Sequence, residues 1–288
     1  MYEAFYSLTR RPFSTLPDPD FLYWTKGHSL AFTVLDYGVR NDAPITVITG
    51  DVGCGKTTLV RHLMNNLPGD ATVGLISNLQ EGRGDLLEWI MLAFEQPFDE
   101  ESYVRLFSRF QEFLLDRYAN GQRTILIVDE AQNLSPKMLE ELRMMLNVNA
   151  DHDQLLQLVL LGQPQLREVL RSPDLEQFVQ RIAADYHITP LRSEEVARYV
   201  THRLAQSGAD HEIFEGETFD LIAQATGGVP RLINILCDLC LVYGFSYESK
   251  KIGTDLLMEF LNSSKEHGVF HQFRPVIQPS PQSVEATT

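Results

Sequence analysis

Lys56 and Thr57 close the stretch Gly50-Asp51-Val52-Gly53-Cys54-Gly55-Lys56-Thr57, which fits G-x-x-x-x-G-K-[ST]. Glycines at these positions let a loop turn its backbone N–H groups inward around phosphate oxygens, where larger side chains would block them. The lysine would reach the β- and γ-phosphates of ATP, and the threonine hydroxyl would hold Mg²⁺. Farther along, Asp129 and Glu130 follow the apolar run Ile125-Leu126-Ile127-Val128. Carboxylates so placed suit phosphoryl transfer: Asp129 would help hold Mg²⁺ through water, and Glu130 would polarise the attacking water. The candidate ATP-binding segment therefore comprises Gly50, Asp51, Val52, Gly53, Cys54, Gly55, Lys56, Thr57 and Thr58. A glycine-rich turn with a chance lysine and a strand end with two solvated acids are the bland alternatives. The joint presence of both motifs argues against them.

Such groups need a scaffold. Ile45–Thr49 is a β-branched run that reads as a buried strand, and Thr58–Leu63 continues after the loop at helical spacing. The helix start adds the positive end of its dipole to the phosphate site. The run ending at Val128 reads as a strand buried on both faces, typical of a parallel sheet, delivering Asp129 to the carboxyl edge. Ala71–Ile76, Leu155–Leu161 and Asp185–Thr189 read as further strands. Helices are expected over His28–Tyr37, Asp85–Phe94, Glu101–Tyr118, Pro136–Val148 and Asp174–Ile182. From Leu191 the pattern is all-helical, with Val196, Tyr199, Val200 and Leu204 as a stripe, then Phe219–Thr226 stopped by Gly227-Gly228. The expected organisation is a nucleotide-binding domain over 1–190 that includes an aromatic and proline-rich N-terminal arm, a helical lid over 191–265, and a disordered tail over 266–288 rich in Pro, Ser and Gln.

Further residues join the site on position. Gln163, in Gly162-Gln163-Pro164, is a candidate γ-phosphate sensor or a loop-capping amide. Arg181, ahead of the last strand, is placed either to reach a neighbouring subunit's ATP, stabilising charge on the γ-phosphate, or to make a surface salt bridge. Pro230 fits a first helical turn, which puts Arg231 where a lid arginine reaches back to nucleotide. Tyr23 and His28 either line the adenine or pack the arm. Cys237 and Cys240 form C-x-x-C, but no second pair completes a zinc site and their flanks read as a buried helix.

The net charge of −15, from 39 acidic and 24 basic residues, disfavours a whole-surface nucleic-acid binder. No apolar run approaches the roughly 20 residues that span a bilayer, and the first residues lack signal-peptide character. The expectation is a cytoplasmic protein, peripheral at the inner membrane through a partner.

The two phosphate motifs, the Gly162-Gln163-Pro164 turn, Gln180-Arg181-Ile182 and Gly228-Val229-Pro230-Arg231 together resemble an AAA+ ATPase. The opening Tyr6-Ser7-Leu8…Arg11-Pro12-Phe13…Pro17-Asp18-Pro19…Phe21-Leu22-Tyr23 resembles the general secretion pathway protein A (ExeA-type) ATPases and their relatives in exopolysaccharide and exosortase loci. The resemblance runs from about Met1 to Leu261. It implies an αβα P-loop sandwich with strand order 5-1-4-3-2 and a small helical lid, and ATP-driven assembly into a ring or hexamer-like homo-oligomer. It also implies Arg181 as arginine finger, Arg231 as sensor 2, and inner-membrane secretion or export proteins as partners. The position where relatives often carry an arginine in the last strand holds Asp185. The membrane span and peptidoglycan-binding region of secretion protein A are not expected here. The competing expectation is a DNA-associated ATP switch of the transposition target-selection type.

Overall fold

The computed structural model describes residues 1–16, 18–67, 69–77, 79, 84–98, 102–150, 153–267 and 273–276. The chain divides into two compact units: Pro17–Thr189, and Met1–Leu16 together with the residues from Pro190 onward.

The first unit is built on five parallel strands, β1 (Ile45–Gly50), β2 (Ala71–Ile76), β3 (Arg123–Val128), β4 (Leu156–Gly162) and β5 (Ile182–Ile188). Their order, β2-β3-β4-β1-β5, is the expected 5-1-4-3-2 read from the other edge. The three central strands are apolar runs because both of their faces are covered. Their side chains alternate between two cores. Val47, Leu126, Val128, Leu158 and Leu160 face α3 (Leu86–Ala93), α4 (Tyr103–Ala119), α5 (Pro136–Met145) and α6 (Pro164–Leu170). Ile48, Ile125, Ile127, Val159 and Leu161 face α1 (Lys26–Arg40) and α2 (Lys56–Asn66). The result is a three-layered αβα sandwich.

β5 starts at Ile182, three residues before the expected Asp185. The helix expected over Asp174–Ile182 is a 3₁₀ turn (Pro173–Leu175) followed by the single turn α7 (Glu176–Val179). As an edge strand β5 is half-exposed, and Ala183 and Ala184 at its start carry little β signal. Glu101, the expected start of α4, lies outside the described residues.

The second unit contains α8 (Ser193–Gln206), α9 (Thr218–Thr226), α10 (Pro230–Ser246) and α11 (Thr254–His267). Residues 1–16, expected to accompany the nucleotide-binding domain, fold into this unit instead. Tyr2 and Tyr6 are buried; the Tyr2 hydroxyl donates to Asp238, and that of Tyr6 donates to the Ser249 carbonyl at 3.0 Å. Arg203, itself buried, donates from Nε to the Pro12 carbonyl at 2.6 Å and from Nη2 to that of Ser14 at 3.0 Å. Aromatic side chains need a core and a buried guanidinium needs acceptors, so the strap formed by residues 1–16 and the helices satisfy one another. Cys237 and Cys240 are both buried in α10, and no metal-holding cluster of three or more His, Cys, Asp or Glu side chains occurs among the described residues.

α11 runs past 265 to His267. Within the expected tail, Phe273 packs edge-on against Phe260 with centroids 6.1 Å apart, and the Arg274 N–H donates to the Ala225 carbonyl at 2.7 Å. Residues 268–272 and 277–288 of that tail lie outside the described residues.

Candidate functional site at the carboxyl edge of the sheet

The loop between β1 and α2 turns through Gly53 and Gly55, at φ of 81° and 92°. L-residues with a Cβ rarely adopt these values. Gly50 is fixed by space rather than by φ: a Cβ there would lie 2.8 Å from the Ile188 carbonyl oxygen of β5. Lys56 opens α2 and is buried, its Nζ donating to the Gly50 carbonyl at 2.7 Å and the Asp51 carbonyl at 3.0 Å. Burial pulls this ammonium below the usual lysine value, and the nearby charges of Glu130, Asp129 and Asp51 partly offset the effect. A desolvated cation beside a ring of amides is well suited to phosphate oxygens.

Thr57 Oγ1 donates to Asp129 Oδ2 at 2.8 Å, joining the first turn of α2 to the end of β3. A hydroxyl and a carboxylate so paired are the hard oxygen donors that Mg²⁺ takes alongside phosphates and water. Asp129 Oδ1 also accepts the Glu130 N–H at 2.9 Å. Glu130 adopts the left-handed conformation, φ 56°. Its Oε2 accepts from Gln132 Nε2 at 2.6 Å and from Gln163 Nε2 at 3.1 Å, while the Gln163 N–H donates to Gln132 Oε1 at 2.9 Å. Burial pushes the Glu130 carboxyl upward, but these two amides and Lys56 outweigh it, so the net shift is below the usual carboxylate value. An ionised carboxylate at this place can accept a proton from water.

The structure thus brings together Gly50 through Thr58, Asp129, Glu130 and Gln163. Gln132 was missed by the sequence reading. Its nearness to the Asp129-Glu130 pair was visible, but its link to Gln163 depends on the pairing of β3 with β4. Thr49 was also missed; its hydroxyl meets His187 Nδ1 at 2.9 Å where β1 and β5 end.

The remaining candidates lie elsewhere. Arg181 precedes β5 at the amino edge, opposite the loop, with Nη2 on the Asn147 side-chain oxygen. Arg231 is exposed in the first turn of α10, in the helical unit. Tyr23 is half-buried just ahead of α1; the next residue, Trp24, meets Phe32 and His62 edge-on at 5.3 and 5.1 Å. His28 is buried, with one ring nitrogen 2.9 Å from the Cys54 carbonyl and the other 2.7 Å from Thr25 Oγ1.

An AAA domain family matches residues 39–170. General secretion pathway protein A of Aeromonas hydrophila is 40% identical over 253 residues, an alignment covering 88% of this chain and 46% of that protein. The chain therefore spans less than half the length of that relative. Among solved structures, Cdc6p from Pyrobaculum aerophilum superposes with TM-score 0.65 at 18% identity, covering 92% of this chain and 70% of that one. The ORC2 protein of Aeropyrum pernix gives 0.64 at 16%, covering 87% and 70%. Identities this low speak for the fold alone. The chain has the AAA+ P-loop fold, matches an AAA domain family over residues 39–170, and is similar over most of its own length to General secretion pathway protein A.

Proposed function

We propose that this chain hydrolyses ATP, with Mg²⁺, at the carboxyl edge of its sheet and serves an envelope secretion or export system. The observation that carries the reading is the convergence of buried Lys56, the Thr57–Asp129 pair and an ionised Glu130 held by Gln163. Lys56 exchanges its loop carbonyls for β- and γ-phosphate oxygens. Glu130 takes the proton of a water whose oxygen bonds to the γ-phosphorus as the bond to the β-phosphate oxygen breaks, leaving ADP and phosphate. The Gln163 amide orients Glu130 and meets the γ-phosphate. Thr57 and Asp129 would hold magnesium, which would supply positive charge to the phosphates.

Arg181, on the edge away from its own loop, acts on a neighbour's site in a homo-oligomer. Arg231 serves as the lid's nucleotide-sensing arginine, by its place in Gly228-Val229-Pro230-Arg231. The secretion assignment is supported by the 40% identity to General secretion pathway protein A. No helix of the described residues is long and apolar enough to cross a membrane. By its likeness to the secretion protein, the proposed place of work is the cytoplasmic face of the inner membrane, beside inner-membrane partners.

The test is Glu130→Gln. Turnover is expected to fall about 10²-fold or more with ATP binding retained. Cross-linked capture of this variant from its own cells is expected to recover envelope or export proteins. Undiminished turnover would overturn the catalytic assignment, and recovery of DNA with a transposase would replace secretion by target selection.

A further inference from the structure

We infer that His28 is a positioning residue of the phosphate loop, setting its backbone through the carbonyl of Cys54. The inference rests on the reading of Gly50–Thr58 as a triphosphate site and adds to it a residue from outside both phosphate motifs. A carbonyl oxygen can only accept, so His28 Nε2, 2.9 Å from the Cys54 oxygen, carries the ring proton. Nδ1 is then an acceptor, facing Thr25 Oγ1 at 2.7 Å. Thr25 Oγ1 already accepts the His28 backbone N–H at 3.1 Å as the cap of α1, which leaves its hydroxyl proton for Nδ1. In the neutral ring the donors then run in one direction, from hydroxyl to imidazole to carbonyl, and the Thr25 contact is compatible with the tautomer that donates to the loop.

The carbonyl so held lies at a sensitive point. Cys54 sits between Gly53 and Gly55, both in left-handed conformations. In a planar trans peptide the C=O and the following N–H point opposite ways. Fixing the Cys54 oxygen towards His28 therefore aims the Gly55 N–H to the other side, as one of the amides the loop offers to phosphate. The ring is packed close enough that a Cβ on Gly55 would lie 3.3 Å from Nε2. Both ring nitrogens are engaged within the protein, which argues against the adenine-lining role that the sequence had left open.

Calorimetric titration of the full chain with ATP and with inorganic tripolyphosphate, each with Mg²⁺, separates the two roles, because only ATP carries a base. His28→Ala is expected to weaken both ligands by about tenfold, the effect of leaving a buried carbonyl without its donor. His28→Gln, whose amide can donate to the Cys54 carbonyl, is expected to restore most of the affinity. His28→Asn keeps an acceptor for Thr25 but is too short to reach Cys54. It is expected to match the alanine variant, and it carries the test if that variant melts. Weakened ATP with unchanged tripolyphosphate would make His28 a base contact and overturn the inference, as would unchanged affinity for both. Failure of the unsubstituted chain to bind either ligand would overturn the triphosphate reading itself, a result seen before any substitution is made.

Discussion

Replacement of Arg181 by alanine is expected to abolish turnover while leaving ATP binding intact, and to act through the neighbouring subunit. Arg181 immediately precedes β5, whose first residue pairs with Ile45 and whose last pairs with Gly50. Six strand steps at about 3.3 Å put its backbone roughly 20 Å from its own phosphate loop, a span no arginine side chain crosses. Within its own chain it donates to the Asn147 side-chain oxygen at the surface, a contact readily exchanged for another. An arginine delivered in trans to a γ-phosphate is worth about 10³-fold or more in kcat. Steady-state phosphate release measures the loss, and mixing experiments locate it. Arg181→Ala and Glu130→Gln are each expected to be inactive alone. Mixed equally in a head-to-tail ring, they recreate a complete site wherever an intact Glu130 meets a neighbour's Arg181, about one site in four. Recovery near that fraction supports the bridging role. Two inactive proteins that stay inactive together while still co-assembling, or an alanine variant with full turnover, would refute it and leave Arg181 as a surface group.

Three other perturbations follow from the geometry. A Cβ on Gly228, at φ 74°, would lie 1.9 Å from the Leu191 carbonyl oxygen, so Gly228→Ala is expected to lose about 3 kcal/mol or more, read by denaturant unfolding; an unchanged midpoint would contradict this packing. Burial, with Asp51 beside it, raises the Cys54 thiol to about 11, so at pH 8 only about one part in a thousand is thiolate; prompt alkylation by iodoacetamide in the folded protein would count against that burial. The Glu130 value is lowered in the folded chain. Its contribution to stability is therefore present above the ordinary glutamate value and lost as pH falls through the lowered one. Gln163→Ala removes one of the donors responsible and is expected to move the acid limb of the hydrolysis profile to higher pH, whereas an unmoved limb would mean that the amide does not set the charge of Glu130.

That the Gly50–Thr57 loop and the Asp129-Glu130 pair belong to one cluster was legible because the signals are local: a few glycines, one lysine and two acids, each flanked by a strand-length apolar run. The strand order came from the family resemblance rather than from periodicity. What the sequence hid were partnerships made across the fold. Gln132 is tied to Gln163 only once β3 and β4 lie side by side. His28 was visible as a polar residue in an amphipathic helix, but which atom it meets depends on where α1 packs against the loop. The start of β5 was misplaced because an edge strand needs no continuous apolar run. Residues 1–16 were assigned by nearness in the chain, whereas their aromatics follow the core that can bury them.

That last placement bears on the order in which the molecule is made. Tyr2, Thr9, Pro12 and Ser14 leave the ribosome before the sheet unit, yet their partners Arg203, Ser207 and Asp238 come after all of it. Until then the sheet unit can fold while the strap stays open with Tyr2, Tyr6 and Phe13 uncovered, a window in which chaperone binding or misassociation competes. Closing the strap across a flexible chain of that length costs roughly 4–5 kcal/mol in the logarithmic entropy law, and much less once the intervening unit is compact. Folding is thus favoured in the sequence sheet first, helices second, strap last. A chain shortened to begin at residue 18 would keep every strand and every phosphate-loop residue, but it would deprive Arg203 of the Pro12 and Ser14 carbonyls. The damage from removing residues ahead of the sheet unit would surface in helices encoded after it.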